Sequence, residues 1–310
     1  MVYKFRLKVI GEIKMNKDEN SITLRQDSDF VANVIKYGGR PASQTDIDKN
    51  YVIVDDKGNF KLKLTKRNRL KASNKLFLIM ILSKLSKNGV ENYYDKPLTL
   101  GLKEYSTYRN ITTDKARSKL KDDMSTLYDM SVELKILSKN KKEIIGSVDF
   151  RILSAKATIK MNQVYIWFTD KFLDFYKRVK TIMPLPKEIF MVKVKDNPNT
   201  FDMFMKLLMH YNINNNKNNK NKNVLSVNTL LEYCSAIPRY DEDIKKNGGM
   251  TQRIIKPFIR DLNAINIIEW YFLDNQNNFK TPNDIKNYYD FIDLKVVWSW
   301  KKEIFNELTA

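Results

Sequence analysis

The chain is poor in the residues that carry most enzyme chemistry. Among 310 residues there is one histidine, His210, and one cysteine, Cys234. That pair cannot supply the four ligands of a zinc finger. It leaves a Ser-His-Asp triad without support and reduces any Cys-His pair to Cys234 with His210. It also excludes the paired-histidine metal site of tyrosine nicking enzymes, so the 16 tyrosines do not point to a nickase. There are only nine glycines, and none falls in G-x-x-x-x-G-K-[ST] or G-x-G-x-x-G, so no phosphate-binding loop is expected. No run approaches the roughly 18 apolar residues of a membrane span. Met1–Ile10 alternates charged and apolar residues, unlike a secretory leader. A lone cysteine suits a reducing compartment. These absences lead us to expect a cytoplasmic binding protein without cofactor or metal, and not an enzyme or membrane protein. The acidic run Asp241, Glu242, Asp243 is read as solvated surface.

What is present is positive charge. Lys and Arg number 55 against 36 Asp and Glu, giving a net charge of +19. AT-rich coding accounts for abundant Lys and Asn, but not for the excess over acids. A chain this basic suits a polyanionic partner. Its 43% hydrophobic and 12% aromatic content allows sizeable cores, and its length allows two domains.

The order of elements repeats. Residues 1–65 read as β-rich, with a hairpin over Tyr51–Leu64 turning at "DDKGN". "KASNKLFLIMILSKLSK" (71–87) predicts a buried helix capped by Ser73 or Asn74. "PLTL" is a short strand and Leu102–Asn110 a short helix. A longer helix from about Asp114 to Asp129 is capped by Thr112 or Thr113. Ala116, Leu120, Met124 and Leu127 form its apolar face, and Lys115, Ser118, Lys119 and Asp122 lie opposite, flanked by Arg117 and Lys121. Strands "SVELKIL", "GSVDFRILSAKATI" and "VYIWFT" follow, then a helix over Asp170–Lys180 and a proline-containing connector, "IMPLPKEIFMVKV".

The second half runs likewise. Asn199–Asn212 is an apolar helix, followed by an Asn/Lys loop. "VLSV" is a strand, and a short helix begins at Asn228 or Thr229. "MTQRIIKPFIRDLN" is the long helix. Its Ile255, Phe258, Ile259 and Leu262 lie opposite Arg253, Lys256 and Arg260. "IIEWYFLD" and Asp290–Trp300 close a hairpin around an insertion. Pro257 either kinks this helix or starts a new one, since a mid-helix proline lacks an N–H donor and clashes with the preceding turn.

Helix, short helix, basic-faced helix and hairpin make a winged helix-turn-helix. The expected fold class is α+β: two tandem winged helix-turn-helix domains, 66–180 and 181–310, after a β-rich extension, 1–65. Arg253, Lys256 and Arg260, with Gln252 and Asn263 as secondary readers, are the candidate DNA contacts of the second unit. Lys115, Arg117, Ser118 and Lys119 are those of the first.

"RIIKPFIRDLNAINIIEWYFL" resembles the C-terminal motif of Rep_3-type plasmid replication initiators, the iteron-binding proteins with tandem winged helices. Ile255, Pro257 and the strand Ile267–Phe272 match its pattern. "FDMFMKLLMHY", "KLFLIMILSKL" and "DKARSKLKDDMSTLYDMSV" resemble other helices of that family, and the resemblance spans about residues 70–300. It implies a protein that binds direct repeats at a plasmid origin, helps melt adjacent DNA, and recruits the host initiator and helicase. It also implies dimers that repress their own promoter. A tandem winged-helix repressor is the alternative, and a nucleic-acid enzyme a more distant one.

Overall fold

The computed structural model describes Ile22 to Lys301, except residues 26–29, 41–42, 45–50, 66–68, 138–143, 156–157, 161, 180–181, 216–220, 241–243 and 246–247. The acidic run at 241–243 lies outside the described residues.

The opening segment gives β1 (Ile22–Arg25), α1 (Phe30–Tyr37), β2 (Ser43–Gln44), β3 (Tyr51–Val54) and β4 (Phe60–Leu64). The expected hairpin is present, with Tyr51 opposite Leu64. Ile53, Phe60, Leu62 and Leu64 are buried, while Lys61 and Lys63 alternate to the wetter face. Helix α1 was not expected. Its Phe30 is fully buried and packs edge-on against Phe150 and Phe172.

The expected helices of the first half follow: α2 (Ala72–Asn88), β5 (Leu98–Gly101), α3 (Leu102–Tyr108) and α4 (Thr113–Tyr128). The cap of α2 differs from expectation. Lys71 is the cap residue, and Asn74 reaches back so that its Oδ1 accepts from the Lys71 N–H at 3.0 Å.

The next strands correct the sequence reading. β6 (Met130–Leu137) and β7 (Ile144–Arg151) directly follow α4, but they are not the hairpin that closes the unit. β6 pairs with β4, extending a five-stranded sheet β2-β3-β4-β6-β7. The segment expected to stand apart as an extension therefore shares a sheet with the first unit. The closing hairpin is β8 (Thr158–Lys160) and β9 (Gln163–Ile166), in a sheet ordered β5-β9-β8. "GSVDFRILSAKATI" is thus two strands in two sheets.

After α5 (Asp170–Lys177), the connector forms β10 (Ile182–Leu185), paired with β1. Then come α6 (Thr200–Asn215), β11 (Val224–Ser226), α7 (Val227–Leu231), α8 (Lys256–Asn263), β12 (Ile268–Leu273), β13 (Phe279–Lys280), α9 (Tyr288–Ile292) and β14 (Lys295–Trp300). Ser226 caps α7, its Oγ accepting from the Thr229 N–H, so the helix starts earlier than expected. The strand expected over Asp290–Trp300, by contrast, begins only at Lys295. Asn287 caps α9 by accepting from the Asp290 N–H.

This sheet runs β11-β14-β12-β13. In both halves the strand after the first helix pairs with the last strand, whose other edge takes β8 in the first half and β12 in the second, where β13 lies outside β12. With β6 and β7 of the first half and β13 and α9 of the second set aside, the order helix, strand, helix, helix, strand and strand occurs twice, and its three strands pair alike.

The halves meet through a buried ion pair. Lys75 on α2 donates to Asp202 Oδ2 on α6 at 2.5 Å and to the Ile35 carbonyl at 3.0 Å. Both side chains are 1% exposed. At Gly39, a Cβ would lie 2.1 Å from Ser235 Oγ, so no larger residue fits this approach.

Candidate nucleic-acid interface

The helix bearing Arg253 begins before α8. Gly248 and Gly249 take φ of +74° and +85°, a left-handed path that glycine adopts without strain. Thr251–Ile255 then forms a π-helical turn, in which the Lys256 N–H reaches back to the Thr251 carbonyl. Pro257 follows at the start of α8. In an α-helix its ring would clash with the carbonyl of Arg253 and no N–H would meet it. The wider turn relieves that clash, and the backbone at Ile255 and Lys256 stays helical. The path is therefore continuous across the proline, with a π bulge rather than a break.

Ile254, Ile255, Phe258 and Leu262 are buried on this helix, and Ile259 is half-buried. Gln252, Arg253, Lys256, Arg260 and Asn263 are all exposed. Arg260 and Asn263 are partly committed. Arg260 Nε and Nη2 bind Asp261 Oδ1, each at 2.8 Å. Asn263 Oδ1 accepts from Trp270 Nε1 at 3.1 Å, which ties the base of the β12–β14 hairpin to the helix.

On α4, Lys115, Arg117, Ser118 and Lys119 are exposed, opposite buried Ala116, Leu120, Met124 and Leu127. Arg117 Nη2 donates to Asn162 Oδ1 in the β8–β9 turn at 2.9 Å.

The two helices share a feature that the sequence reading missed. Each carries a buried aspartate that accepts from an asparagine near the start of its unit's first helix. Asp123 Oδ1 accepts from Asn74 Nδ2 at 2.7 Å, and its Oδ2 accepts from the Tyr105 hydroxyl at 2.7 Å. Asp261 Oδ2 accepts from the backbone N–H and Nδ2 of Asn199. Asn199 Oδ1 in turn accepts from the Ala236 N–H, and Thr200 Oγ1 donates to the Asp261 carbonyl. Burial pushes Asp123 up to about 6, against the opposing pull of Arg109 and its hydrogen bonds. The available signal was a carboxylate directly before the buried Met124 or Leu262.

Counting from these aspartates aligns the halves. Ala116 and Ile254 stand seven residues before them, Leu120 and Phe258 three before, Met124 and Leu262 one after, and Leu127 and Ile265 four after. All eight are buried. On the exposed side, Lys115 corresponds to Arg253 and Ser118 to Lys256, while Asp122 stands where Arg260 does.

No family model matches the chain, and no curated protein matches it. Among solved structures it is similar to the Pi initiator protein in complex with iteron DNA, at 12% identity and TM-score 0.47, over 75% of this chain and 92% of that one. It is similar to domains 2–3 of RctB at 13% identity and TM-score 0.46, over 90% of this chain and 100% of that one. It is also similar to the WH1 domain of MSBI1.176, a replication protein isolated from a multiple sclerosis patient, at 18% identity and TM-score 0.26, over 35% and 81%. With likeness this slight, what this chain does has to be read from its own residues.

The remaining titratable candidates are structural. His210 Nε2 lies 3.4 Å from the Asn221 carbonyl, its ring is edge-on to Trp298, and burial lowers its pKa. Cys234 is buried, which pushes its thiol well up and leaves little thiolate. Among the described residues, no group of three or more His, Cys, Asp or Glu could hold a metal ion, and no helix is long and apolar enough to cross a membrane.

Proposed function

We propose that this chain is a sequence-specific, duplex-DNA-binding replication initiator of a plasmid or related mobile element, built from two tandem winged helices. One unit uses α2, β5, α3, α4 and the β8–β9 hairpin. The other uses α6, β11, α7, α8 and the β12–β14 hairpin. The observation that carries this reading is the repeated helix: an apolar back latched by a buried aspartate, and a polar, largely cationic front, in a chain of +19.

A helix of this kind fits the major groove, and its first turns reach base edges. Gln252 and Arg253 are the base readers of the second unit, and Lys256 serves a phosphate. Arg253 suits guanine because its fork donates two parallel hydrogen bonds. Arg260 and Asn263, held by Asp261 and Trp270, flank them. Lys115, Arg117, Ser118 and Lys119 hold the backbone at the first unit. No step is catalytic: binding energy is spent on deforming DNA at repeats beside an origin. Host initiator and helicase are the expected partners, and a dimer would serve to repress the chain's own promoter.

The test is fluorescence anisotropy with the intergenic DNA beside this protein's gene, against scrambled DNA at two salt concentrations. Preference for a fragment with direct repeats, lost in Arg253→Ala, supports the initiator. Preference for a lone palindrome supports the repressor reading instead. Equal, steeply salt-dependent binding to both DNAs overturns sequence-specific recognition. Cleavage of DNA with Mg²⁺ would reopen an enzymatic role.

A further inference from the structure

The hairpin that follows α8 ends in an unusual tip, "DNQNNFK" (274–280). Wings that only hold phosphates would be rich in Lys and Arg. This one presents Asn275, Gln276, Asn277, Asn278 and Phe279, all exposed. Phe279 is 64% exposed, the highest value among the large apolar side chains described. Leaving an aromatic ring in water is unfavourable unless something covers it.

The tip is built to hold that ring still. Asp274 Oδ1 accepts from the Gln276 N–H at 2.9 Å and the Asn278 N–H at 2.8 Å, and its Oδ2 accepts from Asn278 Nδ2 at 3.1 Å. The Asp274 N–H donates to the Asn278 carbonyl, and Asn277 takes the left-handed φ of +63° that asparagine tolerates. Lys280 Nζ lies 3.4 Å from Asp274 Oδ2, so the only acid of the tip is occupied within it. The Asn278 N–H and its other donors hold the Asp274 carboxyl below the usual range. Phe279 stands opposite Leu273 across the β12–β13 pair, and its ring lies 6.2 Å from that of Tyr271.

We propose that Phe279 is a wedge that enters the minor groove of duplex DNA and unstacks a base step. The amides of Asn275, Gln276 and Asn277 lie along the groove floor beside it. The proposal rests on the DNA-binding reading above. Its chemistry is general: minor-groove proteins read acceptors and groove width with Asn, Gln and basic residues, and insert Phe or other apolar groups to kink the duplex. Duplex DNA is favoured over a protein partner for two reasons. The tip has no uncommitted acid in a chain of +19, and Trp270 hydrogen-bonds the hairpin to the proposed reading helix.

The experiment uses the full chain and the intergenic fragment it prefers, labelled at its ends with a donor and an acceptor. Wild type should raise energy transfer on binding, because a kink brings the ends together. Phe279→Ala should keep the fragment preference, which α8 sets, and lose the rise. Phe279→Leu, which keeps an apolar wedge, should retain it. The melting temperature should be unchanged in both variants, since the ring is largely exposed. A full rise with Phe279→Ala, as expected if the ring covers a protein partner instead, overturns the wedge and leaves the initiator reading standing. Binding by wild type without any rise does the same. If wild type prefers no fragment, the DNA reading fails and the wedge fails with it.

Discussion

Asp261, on the helix that carries Arg253 and Lys256, accepts through one carboxylate oxygen both the backbone N–H of Asn199 at 3.0 Å and its side-chain amide at 2.7 Å. Both residues are buried. The proposed reading helix is thereby fixed to the start of α6 and, through Asn199, to the backbone at Ala236. Asp261→Ala would strand two donors in the interior and release Arg260. Each stranded buried donor costs about 1–3 kcal/mol. We expect Asp261→Ala to lose about 3–5 kcal/mol by urea denaturation, and Asp261→Asn clearly less, because one acceptor oxygen survives. Equal losses in the two variants would show that the carboxylate's hydrogen bonds are not what holds this helix.

The matching aspartate gives a pH test. Burial raises Asp123 from 3.8 to about 6. The native state therefore holds this proton more tightly than the unfolded chain does. The stability due to it is fully present below about 4 and is lost as pH rises through about 6. Asparagine carries no such proton. The stability of Asp123→Asn relative to wild type should therefore improve by about 2–3 kcal/mol between pH 4 and pH 7. Asp202, which burial also raises to about 6, titrates over the same window but cancels in the difference. A flat difference across that range would mean that Asp123 ionises normally.

The buried Lys75–Asp202 pair predicts a non-additive cycle. Removing one partner leaves an uncompensated charge in the interior, worth about 3–5 kcal/mol. Lys75→Met and Asp202→Leu should each cost about that much, and the double variant should recover most of it. Among the described residues Asp202 Oδ1 finds no hydrogen-bond partner, which adds to the cost of keeping the charge. Additive losses in chemical denaturation would show that the two side chains do not act as a pair.

What was legible follows from the range of the interaction. α2, α4 and α6 announce themselves by local apolar spacing, and β3–β4 by alternation around a glycine turn. The partner of β6 is not local: its alternation suits β4, β5 or β9 equally, and only the folded chain decides. Helix α1 was hidden because "FVANVIKY" is short and β-branched. α9 was hidden within an apolar run, although Asn287 and Asp290 form a readable cap. The exposed cations were legible as a helix face. That Arg260 and Asn263 are held by Asp261 and Trp270 was not, because those contacts depend on buried chemistry and on a strand pairing.

Lys256 separates charge from base reading. It is exposed, and its contact is assigned to a phosphate. Lys256→Ala should weaken binding to specific and scrambled DNA alike and lower the slope of log affinity against log salt by about 1. Arg253→Ala should instead cost about 1–3 kcal/mol on the specific fragment alone. Arg260→Ala is a poorer probe, because its guanidinium also neutralises Asp261. A change in preference with Lys256→Ala would place that side chain on a base.

Pro257 joins fold to recognition. It denies Arg253 an α-helical hydrogen bond, and the π turn at Thr251–Ile255 absorbs that loss. In Pro257→Ala the residue regains an N–H, and the turn can close to ordinary α-helix. Each residue of an α-helix turns by about 100°, so removing one residue's worth of bulge swings Gln252 and Arg253 around the axis relative to Lys256. Stability should hold or rise, by up to about 3 kcal/mol, because the ring clash is gone. Discrimination between the specific fragment and scrambled DNA should nevertheless fall. Thermal melting and anisotropy on the same preparation read both quantities. Higher stability with unchanged discrimination would mean that the bulge merely accommodates the proline. Loss of discrimination in a protein at least as stable would mean that the proline sets where Arg253 meets the DNA.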